Sequence, residues 1–492
     1  MGTKFFGAMA GVVELHGARK TRWTRLDGTA APGASSIDVL DATGWQVGDR
    51  IAIAPTDFNP DEREVRSITA IAGRRLTLDS PLQHQHWGRI QTLGSTGEVM
   101  DQRAPVANLS SNIVIRGSTP TDAKFGGHVM FMGGAVTQLS NIEITQMGQR
   151  GGLGRYPIHW HLNGNSPQSY LADSAVHSNF QRGIVVHRAN DLTIRNNVVF
   201  DTFGHMIFIE SSNEQRNVFD GNLVMYGRPI PIADMNPEIA FEHRRGHHNP
   251  RGRISGFWIS NQNQVFRNNH VAAIHFGIGY WFVEGASLTG EGQRDNDLWA
   301  FRGNGGAAPY RGPLVFENNV ASVIRPSVEF GGSNPMDVNG NALQFDALAC
   351  AHGPVVVRNF RAYKVSMKAV WGPGGQVGCA PVVDGLVTAD VKSAVFNGEH
   401  NRSMSVRGGV LFGMTDNQPP GMNAATRNWY ALWQSFAHFP DDLSVEPVSA
   451  YPNSNLKPQN DAPNAHMTLP GNVARRQVFT EWTNVRVQGW PQ

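Results

Sequence analysis

The chain has 492 residues, and 42 Lys plus Arg against 40 Asp plus Glu leave a formal net charge of only +2. That balance supplies no basic field of the kind that draws in nucleic acid, and no run of about 18 apolar residues is present to span a membrane. Only 17% of residues are charged, 54 are Gly, and long amphipathic helical patterns are missing, which points to an all-β, turn-rich protein.

The first residues, Met1 to His16, make a poor signal peptide: the apolar part is short and runs straight into strand-like Val12-Val13-Glu14-Leu15. Residues 1–120 read as short strands separated by turns. Examples are Ser36 to Leu40, Arg50 to Ala54 and Asn112 to Arg116, each bounded by Gly, Asp or Pro.

From about residue 110 a repeat appears: an apolar strand, an Asn or Asn-Asn, then a second short strand. It occurs as Leu192-Thr-Ile-Arg-Asn-Asn-Val-Val-Phe200, Asn217-Val-Phe-Asp-Gly-Asn-Leu-Val-Met225 and Gln264-Val-Phe-Arg-Asn-Asn-His-Val271. It recurs as Leu314-Val-Phe-Glu-Asn-Asn-Val-Ala321 and Val355-Val-Val-Arg-Asn-Phe360. The second Asn falls at 197, 222, 269 and 319, intervals of 25, 47 and 50, which read as one coil followed by two double coils. A period of 20–25 residues with strands and no helices signals a parallel β-helix. Asn at the turns suits it, because Asn tolerates left-handed geometry and stacked amides hydrogen-bond along the coil axis. A sandwich or propeller with coincidental Asn turns is the rival architecture.

Two long excursions interrupt the repeat, at residues 228–254 and 285–312, and such insertions commonly carry binding loops. After about 410 the pattern decays into Pro/Asn-rich sequence, with one short helix expected at Trp429 to Ser435. Cys350 and Cys379 either pair or stay as buried free thiols. The expected organisation is therefore a β region over 1–120 continuous with the solenoid, a parallel β-helix over 121–410, and an irregular extension over 411–492.

Chemistry concentrates in Tyr156-Pro-Ile-His-Trp-His-Leu162. Alternation puts His159 and His161 on one side of a strand and Ile158, Trp160 and Leu162 on the other, in a core. Ile184-Val-Val-His187 and Ile207-Phe-Ile-Glu210 follow at coil spacing, 26 and then 23 residues on. Aligned, they form an outward ladder of His161, His187 and Glu210 on a polar face, with His159 beside it. His177, Asp201, His205 and Glu214 sit at the ends of the same coils. Imidazoles beside a carboxylate suit general acid/base chemistry near neutral pH or a divalent-metal site on His159, His161 and His187; a solvated polar stack is the bland alternative. Arg155 and the strip Arg244, Arg245, Arg251 and Arg253 offer a clamp for an anionic polymer. Trp258 and Trp281 offer faces on which sugars could stack.

At these residues the chain resembles the G8-domain/parallel β-helix family of cell-migration-inducing hyaluronidase and transmembrane protein 2. The matching stretches run from Leu15-His-Gly17 and Trp45-Gln-Val-Gly-Asp-Arg-Ile-Ala-Ile-Ala-Pro-Thr-Asp57 through Phe125-Gly-Gly-His128 and Met147-Gly-Gln149. They continue through Tyr156 to Gly164, Gly204-His205, Glu214-Gln-Arg-Asn217, Phe257-Trp258 and Ala362-Tyr-Lys364. The resemblance covers roughly residues 10–400. It implies a right-handed β-helix, the end part of a G8-like region in 1–120, a secreted or cell-surface location, hydrolytic depolymerisation of hyaluronan, and calcium as a cofactor. Against that resemblance, the family's upstream strands and most of the cysteines of the animal members are expected to be missing here, so a microbial-type relative with a different acidic glycan is the expectation.

The resulting reading is a glycoside hydrolase acting on an acidic polysaccharide, with His161, His187, Glu210, His159, Asp201, His205 and Glu214 as the catalytic set. Glu210 is the acid, and His187 or His161 the base or a metal ligand. Two-carboxylate hydrolysis needs a second acid, which Asp201 or Glu214 must supply. A polysaccharide lyase eliminating at a uronate is the rival enzyme, and a glycan-binding or adhesive surface module is the rival outside catalysis.

Overall fold

The computed structural model describes residues 4–118, 125–211, 213–234, 254–283, 314–325, 340–347, 355–372, 381–396 and 404–418, with short strands at 430–433, 445–446, 480–483 and 485–488. Arg244, Arg245, Arg251 and Arg253, the excursion at 285–312, both cysteines and most of 411–492 lie outside the described residues. Tyr430–Trp433 is a strand rather than the expected helix.

Thirty strands join one parallel-stacked sheet that winds into a β-helix with three faces per turn. One turn shows the pattern. Ile158–Asn165 lies on face A, Tyr170–Ala172 on face C and Ala175–His177 on face B, and each pairs in parallel with its counterpart one coil later: Ile184–Asn190, Thr193–Arg195 and Val198–Phe203. Inward residues from all three faces form one apolar column that includes Ile158, Trp160, Val186, Ile194, Val199 and Phe219.

The Asn repeat works at the corner between faces C and B. The first residue of each pair takes left-handed geometry, with φ of 52° at Asn196, 57° at Asn268 and 55° at Asn318, and Gly221 fills that place at 66°. The second residue points inward, and its amide replaces the missing ladder bonds. Asn222 Oδ1 accepts from Asn197 N at 3.0 Å, and Asn222 Nδ2 donates to Ile194 O and to Asn269 Oδ1, both at 2.9 Å. Asn269 repeats this with Asn319. Asn222 therefore stacks directly on Asn269, and Asn269 on Asn319. The intervals of 47 and 50 are single coils that carry long excursions, not double coils, because an interval in sequence does not distinguish a loop from a turn of solenoid.

Just before that corner, face C carries an alternating charge ladder. Arg195 pairs in register with Asp220, Asp220 with Arg267, Arg267 with Glu317, Glu317 with Arg358, Arg358 with Asp384 and Asp384 with Arg407. Parallel stacking makes each residue a neighbour of its counterpart at about 4.8 Å, so alternation of sign removes a repulsion that identical residues would impose.

The first coil is made of Phe5–Met9 on face A, Val12–His16 on face C and Ile113–Arg116 on face B. Between its second and third strands the chain leaves to build a separate six-stranded antiparallel sheet from Trp23–Arg25, Ser36–Asp38, Arg50–Ile53, Glu64–Ala72, Arg75–Leu78 and Pro105–Asn108. The strands at residues 5–16 thus already belong to the solenoid, and the antiparallel sheet is an insertion within this coil. This insert has its own core around Leu26, Val39, Ile53 and Leu76. It closes over face B, packing Ala52, Ala54 and Leu109 against Phe200, Leu223 and Met225. Trp23 Nε1 donates to Gly221 O at 2.8 Å, and His275 meets Asp61 at 3.0 Å.

Two substitutions test these ladders. Asn222→Ala strands several buried backbone and amide groups and is expected to lower unfolding free energy by about 3 kcal/mol, whereas Asn318→Gly at a left-handed position changes it by under about 1 kcal/mol. Asp220→Lys places three cations in a row. It should destabilise by about 1 kcal/mol at low salt, and most of that loss should vanish at 1 M salt. Urea unfolding at two ionic strengths reads both; a salt-independent effect of Asp220→Lys would refute the ladder's electrostatic role.

Candidate functional site: an imidazole–carboxylate cluster on face A

Face A presents two kinds of outward surface. Along one column Val185, Phe208, Trp258 and Trp281 stack in register. With Tyr156, Ile278 and Val283 they form a second apolar core outside the solenoid wall. Trp258 and Trp281 are 0% exposed, so neither offers a face for a sugar. Alternation correctly places them outward, but their neighbours bury them.

The next column is polar. His161 pairs in register with His187, and Ile209 pairs with Val186, so that Glu210 follows opposite His187 with its N–H donating to Val186 O at 2.9 Å. The expected alignment of His161, His187 and Glu210 is the one the strands adopt. His161 Nδ1 lies 3.0 Å from His187 Nδ1. The carboxylate of Glu210 reaches both imidazoles of the adjoining columns: Oε2 is 3.6 Å from His187 Nδ1 and 3.7 Å from His159 Nε2. His159 therefore belongs to the cluster. Its ring stacks on that of His187 at 5.8 Å between centroids and meets His161 edge-on at 4.9 Å.

This face is not solvated. His159 is 1% exposed, His187 5% and Glu210 9%, and only His161 is half-exposed. Burial, followed by the neighbouring charges of His187 and His161, holds the His159 ring well below the usual histidine range, so it is neutral at pH 7. Tyr156 packs edge-on against it at 4.9 Å, and the Tyr156 hydroxyl is held at 2.8 Å by the buried Arg182 guanidinium. Sequence reading missed Arg182; its signal is a lone cation preceding an apolar strand.

The backbone turns sharply just beyond each histidine. Leu162 has φ of 52° and Arg188 of 46°, and the register slips between His161 and Gly164. This bulge turns Leu162 out to 37% exposure instead of into the core, because strict alternation ends where the bulge begins. Glu214 supports the bend: its Oε1 accepts from Arg188 N at 2.8 Å and from Ser211 N at 2.9 Å. Burial pushes its carboxyl upward, against the pull of His187 and of those N–H groups.

The remaining expected residues are held elsewhere. Asp201 lies on face B in Val198–Phe203 and pairs with Arg228 at 2.5 Å. His177 is on the same face, paired with Glu143 at 3.2 Å. His205 Nδ1 accepts from Ser255 N at 3.1 Å, and its ring lies in the outer apolar core, 4.5 Å from Trp258. Arg155 is half-buried, with Nη1 3.2 Å from His128 Nε2.

As a cation site the cluster offers three imidazoles whose ligand atoms all lie within 4.8 Å of one another, plus one carboxylate oxygen. Calcium takes six to eight oxygen ligands, so this donor set does not fit the calcium that the family resemblance implies. As proton-transfer machinery, it offers imidazoles and a carboxyl group side by side on adjacent strands.

Residues 124–325, which contain the whole cluster, match the family model described as CEMIP beta-helix. Fibrocystin-L of Mus musculus is 31% identical over 325 residues, covering 57% of this chain and 7% of that protein. Cell surface hyaluronidase of Danio rerio is 31% identical over 284 residues, covering 51% of this chain and 20% of the relative. A G8 domain-containing protein of Dictyostelium discoideum is 33% identical over 236 residues, covering 46% and 20%. The chain thus spans about a fifth or less of the length of these relatives. Its central part is similar to the CEMIP beta-helix model, and its relatives at about 30% identity include fibrocystin-L, cell surface hyaluronidase and G8 domain-containing proteins.

Proposed function

We propose that this chain cleaves an acidic polysaccharide, hyaluronan or a similar glycosaminoglycan, by glycosidic hydrolysis at the His161–His187–Glu210 cluster. The observation that carries this is a cluster of three imidazoles, two of them within 3.7 Å of one carboxylate and the third, the accessible His161, against His187, beside an otherwise apolar outer core. A relative named for hyaluronidase activity at the cell surface supports both the substrate class and an extracellular or surface location. No helix among the described residues is long and apolar enough to cross a membrane.

In this reading Glu210 gives its proton to the glycosidic oxygen, and His161, on the open side, takes a proton from the attacking water. His187 lies between them and shares the charge that develops. Glu214 is the nearest second carboxyl, acting through the bend it holds at Arg188. A basic strip at 243–253 remains the proposed clamp for the anionic chain.

One observation favours a second reading, elimination at a uronate. Hydrolysis by paired carboxylates requires two acids flanking one bond. Among the described residues Glu210 alone joins the imidazoles, while both N–H groups at Glu214 Oε1 commit that residue to the backbone. An imidazole base at a C5 proton needs no second carboxylate.

Glu210→Gln and His161→Ala are each expected to slow cleavage about 10²–10⁴-fold while glycan affinity stays within about threefold. Chain length, new reducing ends and ultraviolet absorbance should be followed together on a series of acidic glycans. Reducing ends without absorbance establish hydrolysis, and an absorbing unsaturated product establishes elimination. Wild-type protein that binds glycan, never shortens it, and binds as well after both substitutions would sink the enzymatic reading in favour of a binding module.

A further inference from the structure

We propose that His159, His161 and His187 bind one divalent first-row transition-metal ion of the zinc class, with Glu210 as a fourth donor. This rests on the reading above in placing the reaction centre at the same cluster; with the ion bound, His161 and Glu210 serve as ligands, and the proton transfers written above belong to the metal-free cluster.

The spacing is the first argument. Metal–nitrogen bonds of about 2.0–2.1 Å at tetrahedral to right angles put ligand atoms about 3.0–3.4 Å apart. The His161 and His187 Nδ1 atoms are 3.0 Å apart. The Glu210 Oε2 edges are 3.6 Å to His187 and 3.7 Å to His159, beyond hydrogen-bond length yet close to a coordination edge. No separation among the three imidazole ligand atoms exceeds 4.8 Å, so about 1–1.5 Å of convergence closes the set around a metal at bonding distance.

The second argument is the state of His159. The residue is 1% exposed, and among the described residues its ring nitrogens meet only a backbone contact at Gly154 and the Glu210 carboxylate 3.7 Å away, with no side chain at hydrogen-bond length. Its register neighbours are Met130 and Val185, a setting in which an apolar side chain would pack without leaving polar atoms unpaired. Coordination would give this buried ring a strong partner in place of those weak contacts.

Selectivity follows from the donors. Three imidazoles and one carboxylate suit zinc, cobalt, nickel or copper, and not calcium or magnesium, which take oxygen. Two ligands come from one strand and one from the next, so the wall of the solenoid fixes their spacing. The half-exposed His161 gives the ion a way in. When bound, the ion would supply positive charge against the carboxylate of an acidic sugar, beside Glu210.

The test uses the whole chain without a histidine tag, and Co²⁺ as the probe. Calorimetry is expected to give one Co²⁺ per chain, with visible d–d absorption that Zn²⁺ removes and excess Ca²⁺ does not. His161→Ala, half-exposed and so expected to fold, and His159→Ala should each weaken Co²⁺ binding at least about 100-fold and lose the absorption, with metal-free melting temperature as the folding control. Replacing His243, His247 and His248 together should leave Co²⁺ binding unchanged. Absence of stoichiometric Co²⁺, displacement by Ca²⁺, or loss of binding only in that triple variant would overturn the proposal. Stoichiometric Co²⁺ on a chain that cleaves no glycan would refute the function proposed above and leave the metal site standing. Cleavage that survives chelation in a chain that binds no Co²⁺ would do the reverse.

Discussion

In-register parallel stacking is the constraint on which the rest of this structure depends. Each coil sets its side chains directly on those of the coil before, about 4.8 Å away, so every residue's closest neighbour is its own counterpart. For apolar residues that is favourable without further condition, and the inner column of Trp160, Val186 and Ile209 needs nothing more. For polar residues it is a liability, because identical donors meet donors and identical charges repel. The protein meets it in three ways. Asn197, Asn222, Asn269 and Asn319 carry both donor and acceptor and so can stack on themselves. Face C alternates sign from Arg195 to Arg407. Face A places two imidazoles and then a carboxylate in successive rungs, and that column has no structural solution of the first two kinds.

Much of this was legible in the residues. The Asn period exposed the solenoid, and counting 26 and 23 residues from His161 gave the register of His187 and Glu210. The charge ladder also stands in the repeats, where the residue before the left-handed position runs Arg195, Asp220, Arg267, Glu317 and Arg358; pairs of unlike residues simply do not look like a repeat. Other features depend on information that alternation lacks. Alternation tells which side of the wall a residue faces, but not what covers that side, so Trp258 and Trp281 look like platforms and are core. It assumes a regular strand, so Leu162 looks buried and is turned out by a bulge. It left His159 beside Val185 and Phe208, in an apolar column, with no way to show that the carboxylate of Glu210 leans across to it.

The insertion of the antiparallel sheet into coil one has a consequence for the site. By leaving between faces C and B and returning to complete the coil, the chain ties the insert's position to the solenoid axis at both ends. The insert then seals face B, where His177, Asp201 and His270 would otherwise be accessible, and uses polar contacts such as Tyr226 to Asp61 and Arg325 to Asn59 to do so. Among the described residues, face B is thus covered by the insert and face C carries alternating charges, while the imidazole–carboxylate cluster stands on face A.

The apolar outer core beside the cluster matters to that chemistry as much as the cluster does. Val185 lies in register beside His159 and the Tyr156 ring meets it edge-on, groups that do little to solvate charge, so electrostatic terms there are stronger than at a wet surface. Burial first, then His187 and His161, and last the buried Arg182 guanidinium, 4.0 Å over the Phe208 ring, disfavour protonation of His159. A carboxylate next to neutral imidazoles in such a setting favours the arrival of positive charge, either a proton or a cation. The acidic sugar proposed above would bring the opposite sign, and it would meet Glu210 favourably only with that positive charge already in place. Under that proposal, substrate binding is linked to whatever occupies the space between the three histidines.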